Sequence, residues 1–176
     1  MVRKSQPQFM HSDDHPAVSI RPMAPADRAA VAEIILSVGN FNRAEIGCAL
    51  ELIDIYLRDE NQKDYSIVVA ECRDGRIAGY ACWGPIPLTV GGYDLYWIAT
   101  HPVFHGHGSG RALMSYVEDR IREDGGRLLV LETSSKESYR NTVRFYRRLN
   151  YEEELRIHDF YDVGDDKLVL VKRFSG

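Results

Sequence analysis

The stretch HPVFHGHGSGRALM, residues 101–114, decides how this chain is read. Gly106, Gly108 and Gly110 alternate with His107 and Ser109, and a helical pattern opens at once after them. Gly110, Leu113, Met114, Val117 and Ile121 fall on one stripe of that helix. Glycine has no Cβ, so a ligand can approach the backbone closely where it stands. A helix N-terminus carries unpaired N–H groups and about half a positive charge. Together these features imply an anion site, and phosphate is the anion they suit best.

Working outward, YDLYWIAT (93–100) before the loop is an apolar, aromatic strand, and LLVLETS (128–134) after the helix is a short, fully apolar one. AVSIRPM reads as a first strand stopped by Pro22 and Pro25. PADRAAVAEIILSV and NRAEIGCALELIDIYLRD read as two helices with apolar faces. SIVVAECRDGRIAGYACWG reads as a hairpin with a two-residue loop at Asp74-Gly75. That turn pairs Arg73 with Arg76, Cys72 with Ile77 and Cys82 with Ile67, so the two cysteines are expected as reduced, buried thiols. SYRNTVRFYRRL reads as a further helix. YEEELRIHDFY and KLVLVKRF read as two closing strands around the loop DVGDD. The order β-α-α-β-β-β-α-β-α-β-β implies an α/β fold with a mixed sheet covered by helices.

At 176 residues the chain suits one domain, here residues 17–176, after a polar N-terminal arm, residues 1–16, expected to be mobile. A net charge of −4 argues against a nucleic-acid partner and gives no attraction to a membrane. MVRKSQPQFMHSDDHP lacks the apolar core of a signal peptide, and a cytoplasmic location is expected. His101, His105 and His107 are not expected to hold a metal. An HxxxH pair needs a helix to converge its rings, and Pro102 and Gly106 break the segment.

Two phosphate motifs fail on HGHGSGR. A Walker loop needs a Lys-Ser or Lys-Thr, and a GxGxxG fingerprint counted from Gly106 ends on Arg111. The pattern that fits is [Q/R]xxGx[G/A] between a strand and a helix, here His105 to Gly110. This resembles the pyrophosphate loop of the GNAT superfamily of acyl-CoA-dependent N-acyltransferases. YWIATHPVF resembles the strand and turn that lead into it, and FYRRLNYEEE resembles the family's FYxxxGF segment. YDLYWIA, DFY and GDDK look close to one subgroup of that family. His105 stands where Gln or Arg is usual. Asn150 replaces a glycine, and Asn also accepts the left-handed helix cap.

The resemblance implies a mostly antiparallel mixed sheet, helices on both faces, and a splay between the fourth and fifth strands. It implies acetyl-CoA as cosubstrate, its arm lying along the backbone of Ile98, Ala99 and Thr100. Its pyrophosphate would lie on His105, Gly106, His107, Gly108, Ser109, Gly110 and Arg111. Tyr139 stands where relatives carry a CoA-contacting Asn, while Asn141 is off that register. Tyr146, of the FY pair, would be the general acid for the leaving thiolate, and an amide near Ile98 would hold the acetyl carbonyl. Asp94 would be the general base; Glu132 or a water is the alternative. Asp94, Tyr96 and Ile98 are expected on one face of the strand. Phe41, Tyr56, Trp83, Tyr96 and the acidic loop with Asp159, Asp162, Asp165 and Asp166 could line the acceptor side. The implied activity is direct acetyl transfer to a small-molecule or peptide amine by a monomer or homodimer. A non-catalytic CoA-binding regulatory module on the same fold is the alternative, and Tyr146 and Asp94 favour the enzyme.

Overall fold

The computed structural model describes residues 18–59 and 61–174. The expected N-terminal arm therefore lies outside the described residues. Seven strands form one sheet in the order β1-β2-β3-β4-β5-β7-β6. They are β1 (Ser19–Pro22), β2 (Ser66–Glu71), β3 (Ile77–Pro85), β4 (Gly92–Thr100), β5 (Leu128–Ser134), β6 (Glu152–Asp162) and β7 (Asp165–Arg173). Every neighbouring pair is antiparallel except β4–β5. The helices are α1 (Arg28–Ser37), α2 (Arg43–Arg58), α3 (Ser109–Glu123) and α4 (Arg140–Arg148). This is the expected element order.

Both sheet faces are covered. Val31, Ile34 and Ile35 of α1 and Ala49 and Ile53 of α2 pack on Ile67, Val69, Tyr80 and Cys82. Leu113, Met114, Val117 and Ile121 of α3, the stripe read from the sequence, pack on Val68, Ala70, Ala81, Leu129 and Leu131. Central strands buried on both faces need apolar side chains at successive positions, which explains the unbroken run IVVA in β2. α2 starts with Asn42, whose side chain accepts from the Ala44 and Glu45 amides while Glu45 reaches back to the Asn42 amide. α4 ends in a Schellman turn. Asn150 takes φ +65°, and the Tyr151 and Asn150 amides donate to the carbonyls of Tyr146 and Arg147.

Two local expectations are corrected. The β2–β3 loop has three residues, not two: the Cys72 amide donates to Arg76 O, and Gly75 at φ +82° absorbs the extra residue. Cys82 does pair with Ile67, but Ile77 pairs with Glu71 across a bulge rather than with Cys72. The closing hairpin turns on Val163 and Gly164 alone, because Asp162 and Asp165 already pair. Its acidic groups serve the turn itself. Asp159 accepts from the Gly164 amide, Asp162 from the Val163 amide, and Asp166 binds Arg156.

Candidate active site

β4 and β5 pair over three positions only: Gly92 with Leu128, Tyr93 with Leu129 and Asp94 with Val130. Beyond Asp94, β4 stays paired with β3 as far as Thr100, while β5 stays paired with β7 as far as Ser134. A wedge therefore opens in the middle of the sheet, with free backbone groups along its edges. The Thr100 carbonyl accepts from His105 Nε2 at 3.0 Å, whereas the next residue's amide, that of His101, bonds Ala78 O on the β3 side. Strand alternation then turns the backbone groups of Ile98 and Thr100 toward the wedge and those of Ala99 toward β3.

The wedge leads into a cleft of about 630 Å³ lined by Ile98, Thr100, His105, Gly106, Gly108, Ser109, Gly110 and Arg111. Gly108, at φ +83°, caps α3 without any side-chain bond to the helix. The amides of Gly106, Gly108, Ser109, Gly110 and Arg111 have no acceptor among the described residues. The buried Ser109 hydroxyl also lacks a partner. A Cβ at Gly106 or Gly108 would meet no protein atom within 4 Å. Five amides, a helix dipole and an unpartnered hydroxyl around an open cradle suit a pyrophosphate.

The α4 wall holds residues that sequence reasoning missed. Asn141, Thr142, Phe145 and Arg148 all line the cleft, as do Asn40 and Ser138. The spacing of Asn141, Phe145 and Arg148, four and then three residues, was the available signal. Tyr139, expected on the cofactor, is not among the residues that line the cleft. A 3-10 turn over Glu137–Tyr139 precedes α4, so helical spacing from Tyr146 does not reach back to it. Its hydroxyl donates to Asn40 O at 2.8 Å, and burial pushes the phenol up to about 12. His107 also stays out of the cleft lining, exposed at the tip of the turn.

Tyr146 is buried beside Phe145 and Tyr151, with ring centroids 5.3 and 5.6 Å away. Burial pushes its phenol up, so it is neutral and holds its proton at physiological pH. Asp94 lies on the other face. Register along β3–β4 skips Tyr96, which is a bulge: Trp83 pairs with Leu95 and Cys82 with Trp97. Side-chain alternation reverses there. Leu95 and Ile98 belong to the α3 side and Trp97 to the α1–α2 side. Asp94 and Ile98 thus do not share a face, contrary to expectation, because a bulge adds one residue to a period of two. Trp83 is likewise buried on the α3 side, 6.4 Å from Tyr116, away from the acceptor flank.

Burial and the Glu132 carboxylate push Asp94 above the usual carboxylate range, and Lys167 draws it partly back. Glu132 alternates with Leu129 and Leu131, so it shares the face of Asp94 across the wedge. It is bound by Lys167 of β7. On the α3 face the phenol of Tyr146 is neutral and buried in the core, outside the residues that line the cleft, and on the other face a carboxylate of raised proton affinity stands where the strands part.

The pattern that defines the acetyltransferase (GNAT) domain matches residues 63–153. A crystal structure of a GNAT-family protein from Desulfovibrio desulfuricans superimposes with a TM-score of 0.84 at 41% identity, covering 89% of this chain and 99% of that one. The S-alkylcysteine N-acetyltransferase of Bacillus subtilis is 28% identical over 130 residues, 69% of this chain and 72% of its own length. A Salmonella typhimurium structure with its cofactor acetyl-CoA has the same fold at 20% identity, with a TM-score of 0.70 over 91% of this chain and 95% of that one. The chain belongs to the GNAT family and is, by class, an acyl-CoA N-acetyltransferase. Among the described residues no helix is long and apolar enough to cross a membrane.

Proposed function

We propose that the protein transfers an acetyl group from acetyl-CoA to a primary amine directly, within a ternary complex. The observation that carries this reading is the parting of β4 from β5 just after Asp94, above a cradle of unpaired amides. When bound, acetyl-CoA supplies an activated thioester carbonyl. The amides from Gly106 to Arg111 hold its pyrophosphate, Arg148 adds positive charge, and the backbone of Ile98 and Thr100 lines its arm. The Ile98 amide donates to the acetyl carbonyl where negative charge develops.

Asp94 takes a proton from the acceptor ammonium, through a water because the Asp side chain is short. Its raised proton affinity suits that task better than an ordinary carboxylate would. Tyr146 gives its proton to the departing thiolate. The acceptor enters from the α2 side, where Phe41 and Trp97 stand edge to face at 5.3 Å and Tyr96 is open to solvent. The test is release of free CoA thiol from acetyl-CoA in the presence of amino acids, polyamines, aminoglycosides and peptide N-termini. One or more acceptors should give thiol release with acetylated product in equal amount. Saturable acetyl-CoA binding without turnover on any of them would turn the reading to a CoA-binding regulatory module.

A further inference from the structure

The flank of the wedge opposite α3 carries three carboxylates and two lysines, and one carboxylate, Asp94, is left unpaired. Asp94 and Glu132 stand on one sheet face, on the two strands that part. The ammonium of Lys167 binds Glu132 and lies 4.5 Å from the centre of the Phe160 ring. Next to it, Asp165 is buried and held by Ser134 and by Lys136 at 3.3 Å. Both lysines of this flank are thus committed to carboxylates. Asp94 has no ion-pair or hydrogen-bond partner among the described residues. Three large rings of this flank stand open, Tyr96 near Asp94 and Phe160 and Tyr161 near the Glu132–Lys167 pair: Tyr96 is 37% exposed, Tyr161 47% and Phe160 50%. Tyr96 lies within the field of Asp94, and Tyr161 within that of Glu132.

A half-buried carboxylate that no cation contacts directly is costly, and a cation bound against it relieves the cost. Open aromatic faces attract the same charge through their quadrupoles. A carboxylate carried next to the reacting nitrogen would meet Asp94 and Glu132 at close range, with the ammonium groups of Lys136 and Lys167 already engaged. We infer that the acceptor is a cationic amine on an apolar or aromatic body, with no carboxylate beside its nitrogen, and that free amino acids are discriminated against. This rests on the proposed transfer only for the face from which the acceptor enters. Asp94 supplies the attraction, and the closed Glu132–Lys167 pair supplies the discrimination.

Matched pairs that differ by one carboxylate decide the matter: tyramine against tyrosine, agmatine against arginine, cadaverine against lysine. Each is titrated calorimetrically into the CoA-saturated protein and also run as an acceptor with acetyl-CoA. The decarboxylated member should bind about ten-fold tighter or better in every pair that binds. Equal affinities, a preference for the amino acids, or binding by no member of any pair overturns the inference. Selective binding without turnover would instead overturn the transfer reading and leave this one standing. Glu132→Gln releases the Lys167 ammonium, so the tyramine-to-tyrosine affinity ratio should fall by about ten-fold. Lys167→Met should widen that ratio. A ratio unmoved in both variants removes the Glu132–Lys167 pair as the source of discrimination.

Discussion

The two flanks of the wedge are built in opposite ways. The cofactor flank runs through one nearly continuous segment, Ile98 to Arg111, and offers mainly backbone amides around a left-handed glycine. The acceptor flank is made of side chains from β4, β5 and β7: Asp94, Glu132 and Lys167. Amides set by local dihedral angles keep their geometry whatever the neighbouring side chains are. A constellation drawn from three strands depends on register, on a bulge and on one ion pair. The first flank should therefore yield to changes of backbone conformation, and the second to changes of charge.

The largest effect should come from the acceptor flank. Asp94→Asn keeps the shape and removes the proposed base, so turnover should fall by about 10²- to 10⁴-fold. Acetyl-CoA affinity, measured by calorimetry, should stay within about two-fold if the flanks are separable. A parallel loss of affinity would break the comparison. Tyr146→Phe keeps the ring and its packing, and turnover should fall by about 10- to 1000-fold with acetyl-CoA binding retained. Unchanged turnover would leave Tyr146 as a core aromatic.

The cofactor flank should respond to Gly108→Val. At a concentration 100-fold above its dissociation constant, acetyl-CoA should stabilise the wild type by about 2.7 kcal/mol, and free acetate should not. The variant should lose that gain in thermal melting. Its own melting point needs measuring as well, because a side chain at a left-handed position costs about 1–2 kcal/mol by itself.

Charge on the acceptor flank should also appear in the pH profile. As the proposed base, Asp94 would work only when ionised, so kcat/KM should rise with pH through its pKa. Burial and Glu132 both raise that pKa, which puts the acid limb above the usual carboxylate range. Glu132→Gln removes one raising charge, so the limb should move to lower pH. A limb that disappears in this variant would make Glu132 the base. The smallest effect is expected at His105, whose ring bonds the Thr100 carbonyl. His105→Gln, which keeps a side-chain hydrogen-bond donor beside the cradle, should weaken acetyl-CoA binding by no more than about three-fold in calorimetry. A larger loss in His107→Gln instead would transfer the side-chain contact to His107.

The sequence by itself determined the element order, the glycine cradle before α3, the buried stripe of that helix and the left-handed Asn150 cap. Each depends on neighbours in the chain, through helical period, glycine dihedrals or a capping residue. Only the tertiary structure decided the rest. Tyr96 bulges out of the β3–β4 register, and that bulge turns Asp94 away from the face of Ile98. A 3-10 turn before α4 sends Tyr139 to Asn40 and leaves Asn141 on the cleft. The closing turn uses its own acidic groups to hold itself. Asp94 is left as the unpaired charge of the acceptor flank because Lys167 meets Glu132 across β5 and β7, thirty-five positions apart in the chain. Such contacts follow from strand order and register, which involve residues too distant for local periodicity to specify.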